Sequence, residues 1–311
     1  MDLAPIDRRA YPPGMRLWDW HAPDGWLHRR ADWPQEPGRE VRGSLLFAGG
    51  RGDFIEKYLE AAHEWHRRGW TIASFDWRGQ GKSRGSIVAG HLDSFDILLE
   101  DLAALVDDWM SKTPGPHVLV GHSMGGHMAL RLLIERKPAI RAAVLVAPMI
   151  AVNSAPFKPK AARAVTWIAS RAGFRKRPMW KVPLARAPAG SKRQHVLTSC
   201  VARYNDERFW WEREPAFAPQ APSFGWLDAG MRSGRIFTRR NLARVQVPVL
   251  LLAAVQDKLV SLDAIRRVAG ELPRAELELY NGCAHEILRE ADETRLAALA
   301  RIDTFLDEQA R

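Results

Sequence analysis

His117-Val-Leu-Val-Gly-His-Ser-Met-Gly-Gly-His-Met-Ala-Leu130 decides how this chain is read, because a short apolar strand runs straight into Gly-x-Ser-x-Gly and then into helical spacing. This is the pattern of a nucleophile elbow, in which Ser123 sits on a strained strand-to-helix turn that lifts its hydroxyl clear of a sheet. A side chain at 121 or 125 would clash with neighbouring backbone there, so glycine is needed on both flanks. A helix starting at Met124 points its free amides and positive end at the place where a tetrahedral oxyanion would form. The five-residue motif alone also describes an ordinary glycine-rich turn. The strand before it and the helix after it separate the two readings.

A serine hydroxyl is a poor nucleophile until a histidine takes its proton, and that histidine needs a carboxylate to fix its tautomer. In a sheet of this design the chain order is Ser, acid, His, with the last two on loops after successive late strands. Val247-Pro-Val-Leu-Leu-Leu-Ala-Ala254 reads as a buried strand, and the loop beyond it carries Asp257 as the acid. Ala275-Glu-Leu-Glu-Leu-Tyr280 alternates like a strand, and the following loop carries His285 as the base. Asp257 could instead cap the helix that begins near Leu262, but Ser261 and Asp263 are better placed for that. His122 and His127 flank the nucleophile too closely to turn a ring back on its hydroxyl, and they are read as packing or pocket-wall residues.

The remaining periodicity supplies a scaffold. Residues 14–33, with Pro-Asp-Gly at 23–25 between aromatic-rich runs, predict an antiparallel hairpin. Gly43–Ala48, Thr71–Phe75 and Arg141–Ala147 read as strands, and Glu56–Arg68 and Phe95–Met110 as helices. Such alternation predicts a mostly parallel sheet covered on both faces, with a site at the carboxyl ends of its strands. The oxyanion hole needs a second amide, expected from the loop after the first parallel strand, Gly49-Gly-Arg-Gly-Asp53. The amides of Arg51 and Met124 are assigned to it. That loop has neither a Walker lysine spacing nor a Gly-x-Gly-x-x-Gly opening a helix, so no phosphate cradle is indicated.

Five blocks now carry a family resemblance: Gly49-Gly-Arg-Gly-Asp-Phe-Ile-Glu-Lys-Tyr58, Asp76-Trp-Arg-Gly-Gln-Gly-Lys-Ser83, Gly121-His-Ser-Met-Gly-Gly126, Gln256-Asp-Lys-Leu-Val-Ser261 and Ala284-His-Glu-Ile-Leu-Arg-Glu290. They resemble the lysophospholipase and monoacylglycerol lipase branch of the α/β-hydrolases, a family with serine aminopeptidase-like members. Leu197-Thr-Ser-Cys-Val-Ala-Arg-Tyr204 and Pro222-Ser-Phe-Gly-Trp226 resemble the cap of its bacterial lysophospholipase members. The resemblance implies an α/β fold with a mostly parallel eight-stranded sheet, helices on both faces and an inserted helical cap. It puts nucleophile, acid and base on Ser123, Asp257 and His285. Many relatives open the oxyanion loop with His-Gly; here Gly49-Gly50 stands instead, as in lysophospholipase-like members that also lack the histidine. The Asp76-x-Arg78-Gly-x-Gly block is read as structural, with Arg78 tying loops together by charge-assisted bonds.

Between the strand ending at Pro148 and that opening at Val247, weaker strand periodicity and many prolines mark an insertion. The expected organisation is a core over 1–150, a cap over 151–245 and the rest of the core over 246–311. Trp167, Phe174, Trp180, Phe209, Trp210 and Trp211 give the cap a large apolar surface, suited collectively to roofing an acyl-chain pocket. Residues 136–205 contain no Asp or Glu, so the net charge of +10 is concentrated there. A basic, aromatic surface fits peripheral contact with an anionic membrane or a plain solvated face; no nucleic-acid-binding motif is visible, and specific nucleic-acid binding is not expected.

These readings weigh against several chemistries. An aminopeptidase of this fold would be expected to hold a substrate ammonium with cap carboxylates, leaving only Asp206, Glu207, Glu212, Glu214 and Asp228 as candidates. A dehalogenase would carry an aspartate nucleophile. The 311 residues, 46% hydrophobic, suffice for one large core with an insertion. The N-terminus lacks the basic start and apolar run of a signal peptide, the longest apolar stretch, 142–152, is too short to span a bilayer, and Cys200 and Cys283 make no disulfide scaffold. The expectation is a cytoplasmic, membrane-peripheral serine hydrolase acting on a monoacyl lipid, lysophospholipid or monoacylglycerol, with no cofactor and no metal. A general carboxylesterase or thioesterase is the first alternative, with an aminopeptidase or a non-catalytic ligand-binding member of the fold after it.

Overall fold

Four apolar runs, Ser44-Leu-Leu-Phe-Ala48, Val118-Leu-Val120, Ala142-Ala-Val-Leu-Val146 and Val249-Leu-Leu-Leu-Ala-Ala254, are buried along their whole length. Only strands covered on both faces read this way, and they are the centre of the sheet. The structure is a computed structural model describing residues 6–310 except 89, 154–157, 181–186 and 219. Lys181 and Arg186 of the basic run and the first five residues lie outside the described residues.

The described strands are β1 (Arg16–His21), β2 (Leu27–Trp33), β3 (Gly43–Ala48), β4 (Trp70–Phe75), β5 (His117–His122), β6 (Ala142–Val146), β7 (Val249–Ala254) and β8 (Ala275–Tyr280). They form one sheet in the order β1-β2-β4-β3-β5-β6-β7-β8, parallel from β4 to β8 and antiparallel at the hairpin end. The hairpin turns at Gly25, whose φ of 83° suits glycine, and pairs Trp20 with His28. At the other edge β8 is half-buried throughout, consistent with its alternating Glu and Leu.

The helices are α1 (Leu59–Arg67), α2 (Asp96–Lys112), α3 (Met124–Glu135), α4 (Pro159–Ala169), α5 (Lys192–Leu197), α6 (Val201–Arg213), α7 (Phe224–Ser233), α8 (Arg239–Leu242), α9 (Leu262–Glu271) and α10 (Asp292–Gln309). The predicted helix over 56–68 starts as a 3-10 turn, Ile55–Tyr58, before α1. On one face of the sheet α2 buries Leu98, Leu102, Leu105 and Trp109 with α3 and α9; on the other α1 packs with α10 through Trp65, Leu299, Ile302 and Phe305. These helices are amphipathic stripes at spacings of three and four. Helices α4 to α8 all fall between β6 and β7, and α4 packs on α7. A third apolar cluster, Phe54, Leu59, Trp210, Trp211 and Phe217, joins α6 to the turn before α1.

Candidate active site

Ser123 is the residue between β5 and α3 and holds φ 52° and ψ −112°, a backbone state that non-glycine residues adopt only under constraint. Its amide donates to the Val146 carbonyl at 2.9 Å, and its carbonyl accepts from the amides of His127 at 3.0 Å and Met149 at 2.9 Å. Those three bonds over-determine the turn. Both flanking glycines are explained by close backbone approach: a Cβ at Gly121 would lie 2.6 Å from the Gly125 carbonyl, and one at Gly125 would overlap the Ala48 carbonyl of β3.

Asp257 follows β7 and His285 follows β8. Asp257 Oδ2 and His285 Nδ1 are 2.7 Å apart, while Asp257 Oδ1 accepts from the amides of Leu259 at 2.7 Å and Val260 at 3.1 Å. Ser261, not Asp257, caps α9 by accepting from the Ala264 amide. Burial pushes the Asp257 carboxyl up, but the charge and hydrogen bond of His285 and then the two amides hold it below its ordinary value. Burial pushes His285 down, yet the Asp257 charge and hydrogen bond, with Glu286 and Asp53, raise it above its ordinary value of 6.5. Ser123 and His285 line one cavity of about 1110 Å³, and Asp257 meets it through His285.

Of the two residues assigned to the oxyanion hole, Arg51 lines the Ser123 cavity and Met124 follows Ser123 directly as the first residue of α3. The Gly50 amide donates to Asp53 Oδ2 at 2.6 Å and the Gly52 amide donates to Gln80 Oε1, whereas the Arg51 amide between them has no acceptor among the described residues. The Met124 amide opens α3, where no intrahelical partner exists. A Cβ on Gly50 would stand 3.0 Å from both Ser123 Cβ and His122 Nδ1, so glycine lets this loop lie against the serine.

Beneath these residues lies a charge network that motif reading does not reveal. Lys57 Nζ bonds Asp53 Oδ1 at 2.6 Å and Glu286 Oε1 at 2.5 Å, with Glu207 Oε2 at 3.6 Å. Arg289 bonds Glu286 and, at 3.2 Å, Glu207, whose other oxygen takes Arg193 at 2.8 Å. Burial opposes the charges of Lys57 and Glu286, but attraction to their partners wins: Lys57 is held up, and Glu286 is brought down to about 2 by Lys57 and Arg289. His122 Nδ1 meets Asp53 Oδ2 and the Tyr58 hydroxyl, each at 2.9 Å, and its ring lies 5.0 Å from that of His285. His122 is thus a wall residue anchored from behind. The available signal was the i, i+4 spacing of Asp53 and Lys57; nothing local pointed to Glu207 or Arg289.

A family model described as serine aminopeptidase, S33, matches residues 39–292. The chain belongs to the S33 serine aminopeptidase family. It is 28% identical over 279 residues to lysophospholipase L2 of Escherichia coli K12, covering 85% of this chain and 80% of that one. It is 24% identical to the probable lysophospholipase L2 of Haemophilus influenzae (88% and 87% covered) and 24% to human monoglyceride lipase (86% and 83%). In fold it matches a soluble variant of the Saccharomyces cerevisiae monoglyceride lipase in complex with a substrate analog, with a TM-score of 0.74 at 20% identity over 98% of this chain and 99% of that one. The eight-stranded sheet with helices on both faces is the α/β-hydrolase fold.

In this S33 chain the cavity walls are mostly apolar, with Met149, Val196, Leu197, Trp226, Leu227 and Val260 around Ser123. Of the six insertion aromatics read from sequence, Trp180 lines the cavity; Trp210 and Trp211 are buried in the third cluster with Phe209 packed against it, and Trp167 and Phe174 are exposed. The base loop is tied to the insertion: the His285 and Glu286 amides donate to Val196 and Leu197 carbonyls, and Glu290 accepts from the amides of Ser199 and Ala284. The insertion carboxylates are paired, Asp206 with Arg8 and Arg9, Glu207 within the network, Glu212 with Arg208, Glu214 with Lys82 and Asp228 with Arg232. Arg78 makes a bidentate bond to Asp101 at 2.6 and 2.7 Å and reaches Asp24 at 2.8 Å, joining the hairpin turn to α2.

Proposed function

We propose that this enzyme hydrolyses the carboxylic ester of a monoacyl lipid, a lysophospholipid or monoacylglycerol, through Ser123, His285 and Asp257. The observation that carries the reading is a serine on a strained strand-to-helix turn, opening with a carboxylate-held histidine into one large, mostly apolar cavity. His285 removes the Ser123 proton as the oxygen attacks the ester carbonyl, and the Arg51 and Met124 amides hold the oxyanion. Protonated His285, stabilised by ionised Asp257, gives the proton to the leaving alcohol. Water then repeats the cycle on the acyl-enzyme and releases the fatty acid. The relatives named lysophospholipase and monoglyceride lipase support this substrate class.

Pairing of every insertion carboxylate among the described residues argues against a free acidic group for a peptide ammonium. A general esterase or thioesterase remains the competing reading. Labelling with a fluorophosphonate, mapped to Ser123 by mass spectrometry, tests the nucleophile. Rates on lysophospholipids, monoacylglycerols, short esters and acyl thioesters measured side by side test the class, and a preference for short esters or thioesters would overturn it.

The finer setting proposed is the cytoplasmic face of an anionic membrane. No helix among the described residues is long and apolar enough to cross a bilayer. Helix α4 and the turn after it instead expose Val165, Trp167, Ile168 and Phe174 among Arg163, Arg171, Lys176 and Arg177. Arg171 stacks over Trp167 at 4.4 Å and Arg177 over Phe174 at 4.7 Å. Apolar side chains ringed by cations suit the boundary between acyl chains and anionic headgroups.

A further inference from the structure

The charged side chains lining the Ser123 cavity do not balance. Asp53, Glu286 and Glu207 are matched by Lys57, Arg289 and Arg193 in the network described above. Two more cations, Arg51 and Lys192, line the same cavity, and neither is paired with a carboxylate among the described residues. The cavity therefore carries an excess of two positive charges beside a largely apolar wall. An apolar acyl chain alone gives no use for them.

Their settings leave donors to spare. The Arg193 guanidinium lies 4.7 Å from the Trp211 ring centre and 5.4 Å from that of Tyr204; one nitrogen bonds Glu207, and its buried Nη1 has no hydrogen-bond partner among the described residues. Arg51 donates through Nη1 to the Gln220 carbonyl at 2.6 Å and lies 5.4 Å over the Trp226 ring, and its other side-chain donors have no acceptor among the described residues. Burial, then the like charge of Arg193, pushes Arg51 down to about 10, a repulsion that an anion between them would relieve. Lys192 immediately precedes Arg193 at the start of α5 and is exposed at the cavity rim.

We propose that Arg51, Lys192 and Arg193 form an anion subsite that takes the phosphodiester of a lysophospholipid while the apolar walls take its single acyl chain. The inference rests on the ester-hydrolase reading and deepens it, because a monoacylglycerol has no anion for this subsite. Guanidinium and ammonium donors lining one cavity suit a phosphate, which offers several acceptor oxygens to charged N–H groups. The network carboxylates are ion-paired with Lys57 and Arg289, whose charges offset theirs.

The test compares lysophosphatidylglycerol with a monoacylglycerol of the same short acyl chain, both kept monomeric, in wild type, Lys192→Gln, Arg51→Gln and the double variant. Arg51→Gln keeps the backbone amide, and Lys192 is exposed, so its single variant keeps the question open even if the double variant folds poorly. The ratio of kcat/KM for the phospholipid to that for the neutral ester should fall roughly threefold in each single variant and about tenfold in the double, mainly through KM. Lys192→Arg should restore it. An unchanged ratio with both lipids still cleaved overturns the subsite and leaves the hydrolase reading standing. Wild-type enzyme that cleaves neither lipid overturns both. Inorganic phosphate that inhibits both lipids alike, with the Gln substitutions relieving it but not moving the ratio, would mean a free-anion site and also overturns the headgroup assignment.

Discussion

The central sheet and the segment between β6 and β7 solve burial in opposite ways. Strands β3, β5, β6 and β7 bury nearly every side chain, whereas α4 leaves Val165, Trp167 and Ile168 at 55%, 48% and 57% exposure. The sheet holds Ser123 and Asp257 just after the buried strands β5 and β7 and His285 after the half-buried edge strand β8, where close packing resists small displacements. The inserted segment supplies cavity walls through α5 and α7 while presenting apolar and basic groups outward. On the proposed reading, reaction geometry rests on the closely packed sheet and substrate encounter on the segment that leaves apolar side chains exposed. The seam between them is the network around Lys57, which draws acids and bases from both.

The sharpest test of this division is Ser123→Ala. Turnover should fall on the order of 10⁴-fold or more with the thermal transition and circular dichroism preserved, because the proposed mechanism uses the hydroxyl for chemistry and not packing. A folded variant keeping most of its turnover would break the assignment.

Asp257→Asn comes next, with an expected loss of about 10³- to 10⁴-fold in kcat. The pH profile carries the signature. His285 must be neutral to accept the Ser123 proton, and its pKa is raised above 6.5, so wild-type kcat/KM should fall as pH drops through that raised value. With the Asp257 charge gone, the downward push of burial dominates. The acid limb should then move to lower pH; a limb that stays in place would locate its proton on another group.

Lys57→Met probes the seam. It strands Asp53 and Glu286 in the interior with one cation fewer, and equilibrium denaturation should report a loss on the order of 3 kcal/mol. A neutral result would mean that the network is not what joins the two regions.

The smallest effect concerns the outward face. Changing Arg171, Lys176 and Arg177 to Ser should weaken co-sedimentation with phosphatidylglycerol vesicles by roughly 1 kcal/mol, about fivefold, per charge, while neutral vesicles respond little. The difference should shrink as salt rises, since the attraction fades within a Debye length of about 8 Å at physiological ionic strength. Equal partitioning to both membranes would reduce this surface to a solvated basic face.

Sequence alone determined the sheet and the places along it of the residues proposed for the site. Buried parallel strands must be continuous apolar runs, a strained turn beside a sheet must be flanked by glycine, and both constraints act on residues adjacent in the chain. The hairpin at Gly25, the β8 span and the Ser261 cap were legible for the same reason. Tertiary structure alone decided which insertion aromatics reach the cavity, because Trp180 and Trp210 sit in equally ambiguous local contexts and only packing separates a wall from a core. It also decided the fate of the charges. Lys57 and Glu286 are 229 residues apart in sequence, and nothing near either announces the other. A buried ion pair depends on which elements the topology brings together, whereas a strand or a cap depends on its neighbours in the chain.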